Sequence, residues 1–292
     1  MKRPINALTF DIEEWFHIPN IEKIKPISEW LDFEERIIKN VDRILNNLNY
    51  FKIKATFFIL GWVAEHYSET VRKIADEGHE IGTHGYYHLP VFRQKPSDFE
   101  ADLIKSIEII ESVTGKKVLG HRAPFFSIKE NCDWAFDIIS KCGLKYDSSI
   151  FPTYRSNGGI TSGKFKEDNI FFIKTKHGKL LEFPLSMFKI MGKNVPVCGG
   201  GYFRAYPYSM TNFGLKYLNN NNKSFMLYFH PRDFDPNQPV LNVPFYQKMK
   251  SYIGLGTSEK KFKKLLGSFN FAPSVKVINQ YFKNNVGKID ER

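Results

Sequence analysis

The chain alternates short apolar runs with amphipathic stretches of helical period, and five of the apolar runs end in a cluster of polar residues. Ala7 to Phe10, Thr56 to Leu60, Glu80 to Thr83, Val118 to His121 and Leu144 to Tyr146 read as strands, as do Leu180 to Leu185 and Phe225 to Phe229. Between them, Ile37, Val41, Ile44 and Leu48 mark a helix from Glu34 to Leu48. Val71, Ile74 and Ala75 mark another from Tyr67 to Glu77, with Gly78 as its stop. Ser97 and Glu100 have the spacing of a capping box, opening a helix that ends near Gly115. Trp134 to Cys142 and Pro207 to Leu218 complete the pattern, and Tyr154 to Thr175 is less regular. Strands alternating with helices at this spacing predict a mostly parallel sheet covered by helices. In such sheets the carboxyl ends of the strands share one rim, so the five polar clusters are expected to converge there.

The first cluster is Asp11, Glu13 and Glu14, three carboxylates that repel unless a cation or a shared proton relieves them. The second is His84-Gly85-Tyr86-Tyr87-His88, two imidazoles four positions apart on a helical turn or a tight loop. Two histidines and a carboxylate are a common zinc set that leaves one coordination position open. The third is Gly120-His121-Arg122-Ala123-Pro124-Phe125-Phe126, where an arginine can hold a carboxylate by two parallel bonds. Tyr146-Asp147-Ser148-Ser149 and Leu227-Tyr228-Phe229-His230-Pro231 are the last two. Each has a plain alternative as a solvated turn or surface histidine, and the weight lies in their sum.

Composition removes some classes. With 292 residues, 42% hydrophobic and 25% charged, the chain is long enough for one large domain and too apolar for wholesale disorder. No run of about 18 apolar residues suggests a membrane span. Lys2 and Arg3 mimic the start of a leader, but Asp11, Glu13 and Glu14 interrupt the apolar segment, which predicts a cytoplasmic protein. Cys132, Cys142 and Cys198 form no C-x-x-C pair and read as thiols of a reducing compartment. The net charge of +11 admits nucleic acid, a membrane surface or an acidic glycan as partner, although the lysines are scattered rather than striped.

Taken in order, T-F-D-I-E-E-W-F, H-G-Y-Y-H, R-A-P-F-F and F-H-P resemble the polysaccharide deacetylases with a NodB-homology domain, carbohydrate esterase family 4. The usual first motif, T-F-D-D-G, is replaced by T-F-D-I-E-E. This variant, with Gly199-Gly200-Gly201-Tyr202-Phe203-Arg204 and the F-K-K-L-L-G-S-F-N-F tail, resembles the subgroup found at exosortase and exopolysaccharide loci. The resemblance covers nearly the whole chain and implies a distorted (β/α)7-type, TIM-like barrel in a single domain over 1–292, with a C-terminal extension from about residue 190. It implies removal of acetyl groups from N-acetylated sugars of a poly- or oligosaccharide, with O-acetyl groups as the alternative. The cofactor it implies is a divalent metal, zinc by default, which would acidify the attacking water.

The resemblance also distributes roles. Asp11 becomes the general base, with Arg122 holding it. Glu13, His84 and His88 become metal ligands, with Glu14 in reserve because Ile12 is inserted. Phe125 offers its backbone N–H to the oxyanion, His230 is the general acid, and Asp147 orients His230. Trp15, Tyr87 and Phe126 are candidates to stack on sugar rings. The rival expectations are a non-catalytic glycan-binding protein on the same fold, and a membrane-surface or nucleic-acid binder using the basic helix over 258–271. Nucleic acid is not expected as a partner; peripheral contact with a membrane and the oligomeric state stay open.

Overall fold

The computed structural model describes residues 4–19, 21, 25–153, 158–160, 170–190 and 193–285. Its first half is a run of strand–helix units. β1 (Asn6–Ile12) is followed by α1 (Ile37–Tyr50), β2 (Thr56–Ile59), α2 (Gly61–His66), α3 (Ser68–Asp76) and β3 (Glu80–Thr83). Then come α4 (Pro96–Thr114), β4 (Gly120–His121), α5 (Trp134–Lys141) and β5 (Tyr146–Asp147). The second half is more varied: β6 (Phe171–Thr175), β7 (Gly178–Glu182), β8 (Met187–Ile190), β9 (Lys193–Pro196), α6 (Gly200–Ala205), α7 (Tyr208–Asn220) and β10 (Met226–Phe229). It closes with α8 (Phe245–Tyr252), α9 (Leu255–Leu266), β11 (Phe271–Ala272) and α10 (Ser274–Asn285).

The main sheet runs β10-β1-β2-β3-β4-β5-β7-β6, with β11 added to the start of β1. All its pairs are parallel except β6 with β7, a hairpin at the edge. This is the expected α/β architecture. The pleat sorts side chains to two faces. Leu8, Phe10 and Ile12 of β1 join the layer beneath the helices. Ala7 faces the other way, into a second core with Phe58, Tyr146, Met226 and Tyr228. That second core draws on strands from both ends of the sheet path, so the sheet is strongly curled. Val277 and Ile278 of α10 enter the same core, beside the start of β1.

Two local expectations are corrected. α4 begins at Pro96, with Lys95 as its N-cap and no side-chain cap. Ser97 instead donates to its neighbour Asp98, because a proline at the first helical position already fixes the entry geometry. The basic segment over 258–271 is α9 followed by β11, and Phe262, Leu265 and Leu266 are buried. Lys261 of that helix donates to the carbonyls of Phe203, Arg204 and Tyr206, so it is engaged within the fold. Lys2 and Arg3, and much of the irregular stretch from Tyr154, lie outside the described residues.

Candidate active site and metal centre

β1 is extended through Asp11, and the two-residue period carries Thr9 and Asp11 onto the concave face of the sheet. Asp11 is 1% exposed and its Oδ1 accepts from Nη1 of Arg122 at 2.6 Å. Arg122, fully buried, also donates to Thr9 Oγ1 at 2.8 Å and to the Ser148 hydroxyl at 3.0 Å. Its guanidinium lies 4.2 Å from the centre of the Phe58 ring. A charge this deep needs such partners on every side, and they leave Arg122 and Asp11 one arrangement.

Glu13, His84 and His88 meet beside that pair, each buried, with one donor atom apiece within 4.8 Å of the others. His84 directly follows β3. Its Nδ1 lies 2.7 Å from the Arg122 carbonyl oxygen, which sets the tautomer and leaves Nε2 as the donor toward the site. His88 lies in the left-handed backbone region at φ 57°, so the His84–His88 segment is a loop and not a helical turn. Asp102 of α4 pins that loop by accepting the N–H groups of Tyr86 and Tyr87 at 2.7 and 3.0 Å. Glu13 Oε2 approaches His88 Nε2 to 2.5 Å. The three donor atoms lie close enough to share a cation, and one carboxylate with two imidazoles is a fitting donor set for a divalent ion.

His230 follows β10 and is the one partly open member, its side chain 24% exposed. Its Nε2 is 3.6 Å from Glu13 and 3.9 Å from Asp11. Its Nδ1 faces Asp233 at 3.2 Å. Asp233 in turn accepts from Arg204 Nε at 2.8 Å, and the Arg204 guanidinium reaches the carbonyls of Lys250, Ser251 and Ile253. Burial works against a charged His230, but Glu13, Asp233 and Asp11 outweigh it and push its pKa up to about 9. For Glu13, burial raises the pKa, while His88, His230 and His84 overcome that and bring it to about 2. Burial lowers His84 to about 4, keeping its imidazole neutral as a ligand must be.

Three of the sequence expectations are corrected. Asp147 does not orient His230. It faces the opposite side of the sheet, 2.6 Å from His121 Nδ1, and accepts from the Ser149 hydroxyl and N–H. The Ser149 oxygen accepts the Ala123 N–H, so Asp147 braces the turn after Arg122 from behind. The position beside His230 belongs to Asp233. Its signal was present in F-H-P-R-D-F, where an aspartate three residues after the histidine returns to the His230 N–H at 2.8 Å. Arg204 and Asp102 carried no signal of that kind. Glu14 turns away, accepting the N–H groups of Trp15, Arg36 and Ile37, and so caps α1. Trp15 and Phe126 are buried at 4% and 3% exposure and leave no face for a sugar, while Tyr87 is half-buried. Phe125 sits at φ 59° with its ring 4.4 Å from His88, and among the described residues no acceptor takes its N–H.

Residues 22–146 match the family model described as polysaccharide deacetylase, and residues 148–279 match a domain of unknown function, DUF3473. A peptidoglycan deacetylase of Helicobacter pylori is 34% identical over 110 residues, 38% of this chain and 36% of that protein. A peptidoglycan-N-acetylglucosamine deacetylase of Bacillus cereus is 29% identical over 173 residues, 50% of this chain and 62% of that protein. The chain thus spans about one to two thirds of the length of these curated relatives. The crystal structure of a candidate polysaccharide deacetylase from Mycobacterium smegmatis superposes with a TM-score of 0.66 at 18% identity, covering 98% of this chain and 92% of that one. A family 4 pseudoenzyme from Bacillus anthracis has the same fold, with a TM-score of 0.50 at 14% identity over 94% of this chain and 66% of that one. The deacetylase match falls on the strands and loops that carry His84, His88 and Arg122, and over residues 22–146 the chain is similar to the polysaccharide deacetylases.

Proposed function

We propose that this protein is a metal-dependent hydrolase that removes acetyl groups from N-acetylated sugars of a poly- or oligosaccharide. The observation that carries the reading is the Glu13, His84 and His88 donor set with His230 at its edge, 3.6 Å from Glu13 and 3.9 Å from Asp11. The peptidoglycan deacetylases among its relatives support an N-acetylated glycan as the substrate class.

In this reading Glu13, His84 and His88 hold a divalent ion, with zinc as the expected metal. Such an ion polarises a carbonyl and makes water a nucleophile near neutral pH. Asp11, held by Arg122, accepts the proton of the water that adds to the acetyl carbon. The Phe125 N–H donates to the oxygen that gains charge, an interaction worth about 3 kcal/mol where such donors have been removed. The carbon–nitrogen bond then breaks, and protonated His230 gives its proton to the departing nitrogen. Acetate and a free amine result. Asp233 and Arg204 keep His230 oriented and charged. A place in the exosortase-associated subgroup and in a reducing compartment belongs to the same proposal, the latter supported by the free thiols of Cys132, Cys142 and Cys198.

The test is acetate release from N-acetylated chito-oligosaccharide by protein loaded with zinc, beside metal-stripped protein and acetylated xylan. Release from the chito-oligosaccharide, abolished by stripping, is the expected result. Glycan binding with no release from either substrate would instead favour the non-catalytic reading, and release from xylan alone would make the protein an esterase.

A further inference from the structure

Residues 236–258 contain no aspartate or glutamate, and their only charged side chains are Lys248 and Lys250. The segment includes α8, of which no residue is buried. Phe245 is 80% exposed, Tyr246 63% and Met249 46%, and the three share one helical face. Val240 and Ile253, on either side of the helix, are 55% and 42% exposed. Among the described residues, five of the 13 exposed large hydrophobic side chains therefore fall within residues 240–253. Isolated exposed apolar residues are ordinary, but a group of this kind needs a partner.

The charge around the group selects that partner. Lys248 and Lys250 are exposed, and the Lys250 ammonium lies 4.2 Å from the Tyr246 ring centre. An apolar helix face with aromatic residues, flanked by lysines and free of acids, is complementary to a bilayer with anionic headgroups. We propose that α8 and its flanking turns dock the protein on an anionic lipid surface. The docked face stands close to the candidate active site. Arg204 bonds the carbonyls of Lys250, Ser251 and Ile253 at the end of α8, and its other side holds Asp233, the partner of His230. Docking would bring the side of the site that carries His230 toward the lipid, where glycan attached to or lying against a membrane is presented.

The experiment is co-sedimentation of the full chain with vesicles of phosphatidylcholine alone, or of phosphatidylcholine mixed with phosphatidylglycerol. Binding to the mixed vesicles, weakening as salt rises, is expected. The double variant Phe245→Ser, Met249→Ser should lose at least about tenfold in partitioning, and Lys248→Glu with Lys250→Glu should behave likewise. Circular dichroism and zinc affinity should be unchanged in both. Wild-type protein that stays in the supernatant with mixed vesicles would overturn the proposal, as would a serine variant that binds like wild type. A concentration-dependent doubling of mass that the serine variant abolishes, with no vesicle binding, would also overturn it and assign the face to a second copy of the chain. Acetate release from soluble chito-oligosaccharide by the serine variant tests the deacetylase reading separately, because none of these side chains lines that site.

Discussion

Adjacent carboxylates in this chain have opposite duties. Glu13 joins the histidine pair, whereas Glu14 caps α1 from within the loop that follows β1. Glu13→Gln, His84→Ala and His88→Ala should each abolish tight zinc binding in a competition titration. Glu14→Gln should keep the metal and lose about 1–2 kcal/mol of stability in urea unfolding. Asp11→Asn is expected to bind zinc normally while kcat falls roughly 10²–10⁴-fold. Near-normal turnover in that variant would remove Asp11 as the base. The two aspartates considered for His230 separate in the same manner. Asp233→Asn should lower kcat with little change in KM. Asp147→Asn should cost about 1–3 kcal/mol of stability through its buried bonds and act on turnover only through the Arg122 turn.

At the scale of elements, the site is assembled by segments just beyond strand ends and steadied by helices behind them. α6 illustrates the tolerance. A Cβ on Gly200 would stand 1.9 Å from Asp233 Oδ2, so only glycine allows the helix to start against that carboxylate. Gly200→Ala should displace Asp233 and reduce kcat while zinc affinity, set by other loops, stays within about twofold; unaltered turnover would show that Asp233 does not position His230. α10 acts at the opposite end of the strands. Val277 is 1% exposed within the concave core, and Val277→Asp should cost at least about 3 kcal/mol, measured as a lowered urea midpoint.

Across the whole molecule, distant segments are tied by buried ion pairs that make stability depend on pH. Asp235 receives two bonds from Arg36, at 2.8 and 2.9 Å, and a third from Asn40, joining α1 to the segment after β10. Burial would raise the Asp235 pKa, but Arg36 and Asn40 prevail and hold it below the usual 3.8. The unfolded chain therefore binds the proton more readily. The contribution is complete above about pH 4 and is lost as pH falls through the lowered folded value. Asp235→Asn should destabilise the protein near neutral pH and flatten this acid dependence, as urea melts between about pH 7 and pH 3 would record. The periodicity of the sequence and the polar clusters after its apolar runs determined the α/β class, the rim on which the site forms, and the residue types gathered there. That Asp147 turns away from His230 was decided by tertiary structure. A strand changes face with every residue, so an uncertainty of one position in β5 turns Asp147 from inside to outside. His121 and Asp147 project behind the sheet while Arg122 and Ser148 project into its concavity. The parallel pairing of β10 with β1 brings His230 beside Asp11 and Glu13, residues more than 200 positions apart and beyond the reach of any local pattern.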